Sequence, residues 1–263
     1  MIGDILSKKI KVGQLDIRYL TGGRGEPLIV IHGGGGQGAQ AWRNNLEELA
    51  RNYTMYVPDL PGFGGSQPLS GDYFIPELTE FINDFSRELG LDKFYLMGHS
   101  LGGGIALDYA LKFPHKIKKL VLVSSMCLGR EIAFWVRFLS HRLLIGVLGG
   151  IALAAIRFVK WLAKSLYAPN EFVEPICQTS VYLGSSISTL KEQATVLMHR
   201  LSEIMVPTLV VWGAKDPVVP VRHAYAAAYL IPDCRVKVFA DSGHSVYREK
   251  IKEFSRELMS FLG

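Results

Sequence analysis

The residues with the clearest chemical potential are a serine between two glycines and a histidine near the end of the chain. Ser100 lies in "GHSLGG", between Gly98 and Gly102, and follows the apolar run "KFYLM". A serine hydroxyl is a poor nucleophile until a neighbouring base accepts its proton, and histidine serves most often as that base. His244 lies in the glycine-bearing loop "DSGHS". Together they predict nucleophilic chemistry at Ser100.

Two other histidines compete for the role of base. His32 opens the run "HGGGG", where we expect it to brace the loop through a hydrogen bond. His99 adjoins Ser100, so its side chain should leave the turn in a different direction. His244 is preferred because it alone, of seven histidines, lies in a glycine-bearing loop after the last predicted strand. The glycine run does not predict a phosphate loop, since no Lys-Ser or Lys-Thr follows it.

Strand and helix patterns alternate at both ends of the chain. Runs such as "PLIVIH", "KKLVLVSS" and "VPTLVVWG" are continuously apolar, which is typical of parallel strands buried on both faces. The opening runs "KKIKVG" and "LDIRYL" alternate in polarity, as half-exposed antiparallel strands do. The order predicts an α/β fold with a mostly parallel, eight-stranded sheet flanked by helices. Ser100 follows the fifth strand, at a tight turn into a helix.

The alternation stops after Ser125 and resumes with "VPTLVVWG". We therefore predict one core domain, residues 1–125 and 205–263, and a helical cap, residues 126–204, inserted after the sixth strand. The cap would line most of the substrate pocket. Its amphipathic segments favour an apolar acyl or aromatic small molecule as substrate, with ordinary packing against the core as the alternative explanation of the same pattern.

Charge and composition narrow the classes of partner. The segment from Arg130 to Lys164 holds six basic residues and one acidic residue, which equals the whole formal charge of +5. A nucleic-acid-binding surface is therefore not expected, because the rest of the chain is formally neutral. The stretch from Leu143 to Ile156 is apolar, interrupted by three glycines, and 14 residues long, shorter than the roughly 20 residues that cross a bilayer. We interpret it as buried or lid-forming, with membrane-surface contact as the open alternative.

The cysteines and the N-terminal sequence bear on the cellular compartment. Cys127, Cys177 and Cys234 are odd in number and lack the spacing of metal ligands. The sequence "MIGDILSKKIKVGQ" has no continuous apolar signal region. Both features predict a cytoplasmic protein with free thiols.

Five motifs in a fixed order resemble those of the α/β-hydrolases, in their esterase and carbon–carbon bond hydrolase branch. They are "HGGGG", "PDLPGFGGS", "GHSLGG", "WGAKDPVVP" and "DSGHS", each after a predicted strand. The resemblance implies a catalytic triad of Ser100, Asp216 and His244, in the family's order. Asp216 also suits an ordinary turn in "KDP", and the two roles are compatible. Asp59, in "PDLPG", is typical of the family and is expected to be structural.

The resemblance also implies an oxyanion hole with two backbone N–H donors. One donor is Leu101, directly after the nucleophile. The other is Gly34 of "HGGGG", with Gly33 and Gly35 as alternatives. No metal or organic cofactor is implied.

The reaction implied by this resemblance is hydrolysis of an ester or similar acyl bond through an acyl-enzyme. The alternative is a carbon–carbon bond hydrolase acting on a vinylogous diketo acid, a ring-cleavage product. That group usually has asparagine before the serine and tryptophan after the histidine, where this chain has His99 and Ser245. A non-catalytic ligand-binding protein of the same fold is a third hypothesis, weakened because all three triad residues are present.

Overall fold

The computed structural model describes residues 5–35, 37–70, 73–133 and 193–263. The strands in these ranges are β1 (Leu6–Val12), β2 (Leu15–Gly22), β3 (Glu26–Ile31), β4 (Tyr53–Pro58), β5 (Phe94–His99), β6 (Ile117–Val123), β7 (Thr208–Gly213) and β8 (Cys234–Phe239). The helices in these ranges are α1 (Arg43–Leu49), α2 (Ile75–Glu88), α3 (Leu101–Lys112), α4 (Arg222–Leu230), α5 (Val246–Glu249) and α6 (Ile251–Leu262). Short 3-10 segments span Gly38–Trp42, Pro114–Lys116 and Met198–Glu203.

The strands form one eight-stranded sheet in the order β1-β2-β4-β3-β5-β6-β7-β8. β2 pairs antiparallel with both β1 and β4, and the remaining neighbours pair parallel. The predicted mostly parallel α/β sheet is therefore confirmed. Because parallel strands end at a common edge, the loops after β3, β5, β7 and β8 open at the same side of the sheet.

The sheet separates two hydrophobic layers. Ile29 and Ile31 of β3 pack into one layer, whereas Leu28 and Val30 pack into the other, as the two-residue period of a strand requires. The first layer includes buried side chains of α2, α3 and α4, and the second includes those of α1 and α6. A strand with both faces covered must be apolar throughout, which explains the continuous runs in the sequence.

The closing helix differs from the sequence pattern, and the predicted cap is left untested. The predicted closing helix divides into α5 and α6, because Lys250 between them has φ −128° and ψ 50°, outside the helical region. Residues 134–192, most of the predicted cap, lie outside the described residues, and so does the apolar stretch from Leu143 to Ile156. The domain boundaries therefore stay a prediction. In the described ranges, every helix is too short or too polar to span a bilayer.

Candidate active site

Ser100 lies in a strained turn between β5 and α3. Its backbone has φ 54° and ψ −114°, a conformation that is costly for a residue with a side chain. A Cβ on Gly98 would lie 2.1 Å from the carbonyl oxygen of Gly102, and a Cβ on Gly102 would lie 2.5 Å from that of His32. Only glycine permits this close approach. The predicted turn, with its flanking glycines, is confirmed.

Asp216 and His244 come together from the loops after β7 and β8. Nδ1 of His244 lies 2.8 Å from Oδ2 of Asp216. The other carboxylate oxygen, Oδ1, accepts hydrogen bonds from the backbone N–H of Val218 (2.8 Å) and Val219 (3.0 Å). The Asp216 side chain is fully buried. Because a carboxylate only accepts, Nδ1 of His244 carries the proton and Nε2 of the neutral ring has a free lone pair.

The side chains of Ser100 and His244 are not joined in the way that His244 and Asp216 are. Within the described part of the chain, no hydrogen bond joins the Ser100 hydroxyl to Nε2 of His244. His99, next to Ser100, links the two loops: its ring centroid lies 4.8 Å from that of His244, and its Nε2 lies 3.0 Å from the His244 carbonyl oxygen. Catalytic hydrogen bonds are often long before substrate binds. The serine–histidine pair stays a prediction.

The imidazole of His99 is neutral and is hydrogen-bonded to the backbone. Burial and, after it, the nearby His244 lower the pKa of His99 to about 3. Since a carbonyl oxygen only accepts, Nε2 of His99 donates its proton to the His244 carbonyl. The imidazole thus points toward the histidine loop and not toward the hydroxyl of Ser100, as expected for the residue before the nucleophile.

His32 braces the glycine loop, as expected. Its Nε2 accepts a hydrogen bond from the N–H of Leu60 at 2.9 Å. Nδ1 therefore carries the proton and donates it to the carbonyl oxygen of Gly33 at 2.7 Å. Burial lowers the pKa of His32, so the ring is neutral and can both accept and donate. A Cβ on Gly33 would lie 3.3 Å from Cβ of Ser100, which places this loop beside Ser100.

Asp59 anchors the loop after β4, in the structural role expected. Its Oδ2 pairs with Nε of Arg18 and accepts from the N–H of Gly65 at 2.9 Å. Its Oδ1 accepts from the N–H of Ala39 at 2.7 Å. The Asp59 side chain is fully buried. Leu60, the next residue in the chain, donates to His32. The bonds of Asp59 therefore also help to fix the position of this donor.

Glu249 is a residue of the site that the sequence motifs do not single out. Its carboxylate accepts hydrogen bonds from residues on both sides of His244. The signal nearest to it is a capping box, a serine followed three residues later by glutamate. Here Glu249 follows Ser245 by four residues, so that pattern does not match.

The sheet order and the loops at its carboxyl edge are those of a known fold family. The family described as alpha/beta hydrolase fold matches residues 26–142 and 139–251. The chain belongs to the α/β-hydrolase fold family. The motifs of this α/β-hydrolase follow or overlap the carboxyl ends of β3, β4, β5, β7 and β8, as the resemblance implied.

Named relatives cover nearly the whole α/β-hydrolase chain. The dihydrolipoyllysine-residue acetyltransferase component of an acetoin cleaving system from Cupriavidus necator is 31% identical, over 96% of this chain and 68% of its own. A 2-hydroxy-6-oxo-6-phenylhexa-2,4-dienoate hydrolase from Comamonas testosteroni is 27% identical, over 97% of this chain and 96% of its own. The crystal structure of a serine hydrolase involved in carbazole degradation (CarC) is 25% identical with a TM-score of 0.75, covering 98% and 99%. The chain is accordingly an enzyme of the hydrolase class.

Proposed function

We propose that this α/β-hydrolase is a serine hydrolase that cleaves an ester or similar acyl bond of an apolar small molecule. The observation that carries the proposal is the 2.8 Å bond between Nδ1 of His244 and Oδ2 of Asp216. It lies at the sheet edge where the turn after β5 presents Ser100. A carboxylate–imidazole pair beside a serine at such a turn is the arrangement that activates a hydroxyl.

The proposed reaction has two steps. Oγ of Ser100 attacks the acyl carbon while Nε2 of His244 takes the hydroxyl proton, and that proton then passes to the departing alcohol. Water next attacks the acyl-enzyme, with His244 again accepting and returning a proton, which releases a carboxylic acid and restores Ser100. Asp216 keeps the proton on Nδ1 and stabilises the imidazolium that forms in each step.

The oxyanion donors of the proposal are the N–H groups of Leu101 and Gly34. Leu101 starts α3, where the first N–H groups have no partner within the helix. The bond from His32 to the Gly33 carbonyl supports Gly34 over its neighbours. In a trans peptide the carbonyl and the following N–H point in opposite directions, so fixing the Gly33 carbonyl toward His32 turns the Gly34 N–H away from the His32 ring.

The second candidate is carbon–carbon bond hydrolysis of a vinylogous diketo acid. The dienoate hydrolase from Comamonas testosteroni favours it, since that relative covers almost the full chain. His99 and Ser245 argue against it, because they stand where that group usually has asparagine and tryptophan. Acyl-bond cleavage therefore comes first.

The test of the proposal is Ser100→Ala, measured by fluorophosphonate labelling and by turnover of short aryl esters. We expect labelling to disappear and turnover to fall by at least about 10³-fold, since the nucleophile is removed. Ser7→Ala, an exposed serine on β1, is the control and should behave as wild type. Labelling that persists in Ser100→Ala would contradict the assignment.

A parallel assay separates the two bond types. Wild-type protein is offered an aryl ester series of increasing acyl length and, separately, a ring-cleavage dienoate. A kcat/KM for the best ester above that for the dienoate supports the acyl-bond proposal. The reverse order would transfer the assignment to the carbon–carbon bond reaction.

A further inference from the structure

One carboxylate holds the backbone on both sides of His244. Oε2 of Glu249 accepts a hydrogen bond from Oγ of Ser242 at 2.8 Å and from the N–H of Gly243 at 2.7 Å. Oε1 accepts a hydrogen bond from the N–H of Ser245 at 3.2 Å. The residues that flank His244 are thus bonded to one side chain, that of Glu249, the last residue of α5.

These three bonds need an ionised carboxylate. All three partners donate, so the group that receives them must accept at both oxygens, and a carboxylate does so while an amide offers only one oxygen. Burial raises the pKa of Glu249, but the hydrogen bonds from Gly243, Ser242 and Ser245 outweigh it and leave the pKa below its ordinary value. Glu249 is therefore charged at neutral pH.

The histidine loop is also packed against the loop that carries Asp216. The carbonyl oxygen of Ser242 accepts a hydrogen bond from the N–H of Lys215 at 2.9 Å. A Cβ on Gly213 would lie 2.1 Å from the carbonyl oxygen of Gly243. Because the two loops are in direct contact, we expect a shift of the backbone at Gly243 to move the His244 imidazole relative to Asp216.

We propose that Glu249 is a positioning residue for His244: its carboxylate fixes the loop on both sides of the imidazole and so sets the direction in which Nε2 faces Ser100. This inference rests on the proposed function, in which His244 is the base. Within the described residues, the carboxylate of Glu249 bonds to Ser242, Gly243 and Ser245 and not to a side chain of the proposed triad. It acts through the histidine alone, so its loss should affect the chemical step more than substrate binding.

The test compares Glu249→Gln with Glu253→Gln, an exposed carboxylate four residues later on α6. We measure kcat and KM on an aryl ester, the rate of fluorophosphonate labelling, and the melting temperature. Glu249→Gln should lower kcat and the labelling rate between about 10-fold and 100-fold, since small misplacements of a catalytic group have effects of this size. KM should stay within about twofold. Glu253→Gln should match wild type.

A second variant covers the case in which Glu249→Gln fails to fold. Ser242→Ala removes one of the three donors and leaves the carboxylate and the two backbone bonds in place. It should lower kcat about fivefold, the effect of one ordinary hydrogen bond, with KM unchanged.

Two results would overturn the inference. One is a kcat within twofold of wild type in folded Glu249→Gln, or in Ser242→Ala where the glutamine variant does not fold. The other is a matched decline of kcat, substrate affinity and melting temperature, which would assign Glu249 to general stability. Failure of the proposed function is distinguished by Ser100→Ala and His244→Ala: if both retain turnover the mechanism is wrong, whereas if both lose it and Glu249 variants are normal, only this inference fails.

Discussion

Three histidines around the site differ in role because their ring atoms meet different partners. His244 donates from Nδ1 to a carboxylate, His99 donates from Nε2 to a carbonyl, and His32 accepts at one nitrogen and donates from the other. Of these three rings, only that of His244 meets two conditions together. Its Nε2 has no backbone partner, and the buried carboxylate of Asp216 can stabilise the imidazolium form. The partner atoms, and not the residue type, decide which histidine can serve as a base.

At this scale we predict that Asp216→Asn lowers kcat by about 10⁴-fold, in line with acid-to-amide changes in serine triads. The amide nitrogen would face Nδ1 and favour the tautomer with its proton on Nε2, which cannot accept from serine. Steady-state turnover of an aryl ester is the measurement. Asp92→Asn, an exposed carboxylate between α2 and β5, is the control and should stay close to wild type. A loss of only a few-fold in Asp216→Asn would mean that another acid serves the histidine.

At the scale of elements, the site depends on loops that are bonded to each other as much as to the sheet. Asp59 joins the loop after β4 to Arg18 on β2 and to Ala39 beyond the glycine run. His32 then connects the same region to the glycine loop through Leu60 and Gly33. Since the sheet supplies only the strand ends, these cross-loop bonds hold the glycine loop beside Ser100.

We predict that Asp59→Asn lowers the free energy of unfolding by about 2–4 kcal/mol, because the buried side chain loses the charge that pairs with Arg18. The amide –NH2 group of asparagine would also face an N–H donor and could not accept from it. Urea unfolding followed by circular dichroism measures the change. Asp84→Asn is the control, since Asp84 pairs with Arg87 on the exposed face of α2, where such pairs contribute little. Equal effects of the two substitutions would argue against an anchoring role for Asp59.

Much of this arrangement could be predicted from local sequence, and the remainder follows from contacts between distant residues. Strands with both faces buried have a continuous apolar pattern, and the turn at Ser100 requires glycine on either side, so both leave local signals. The bond between His99 and the His244 carbonyl spans 145 positions, and the one between Asn45 and the Tyr247 carbonyl spans 202. No local pattern encodes such pairs. The role of Glu249 is also hidden, because its spacing from Ser245 matches no capping rule.

At the scale of the whole molecule, buried histidines connect folding to pH. Burial is the main cause that lowers the pKa of His32, His99 and His223, and for His99 the value is about 3. The ordinary value in an unfolded chain is about 6.5. Between these limits the unfolded state binds more protons than the folded state. The contribution of these histidines to stability is therefore fully present above pH 6.5 and is lost progressively as pH falls below it.

We predict that His99→Asn makes the free energy of unfolding less dependent on pH between about 3 and 6.5. Each buried neutral histidine contributes a slope of up to about 1.4 kcal/mol per pH unit in this window, and the substitution removes one. Urea unfolding at a series of pH values gives the slope. His115→Asn, on the surface, should leave it unchanged. An unaltered slope in His99→Asn would show that this residue takes up no proton on unfolding.

The backbone at Ser100 has an energetic consequence for the whole protein. Its left-handed angle, φ 54° with ψ −114°, costs about 1–3 kcal/mol, and glycine at that position would avoid most of the penalty. If no hydroxyl were needed at position 100, glycine there would give a more stable protein. We interpret the side chain kept in this strained turn as stability that the protein gives up for the proposed nucleophile.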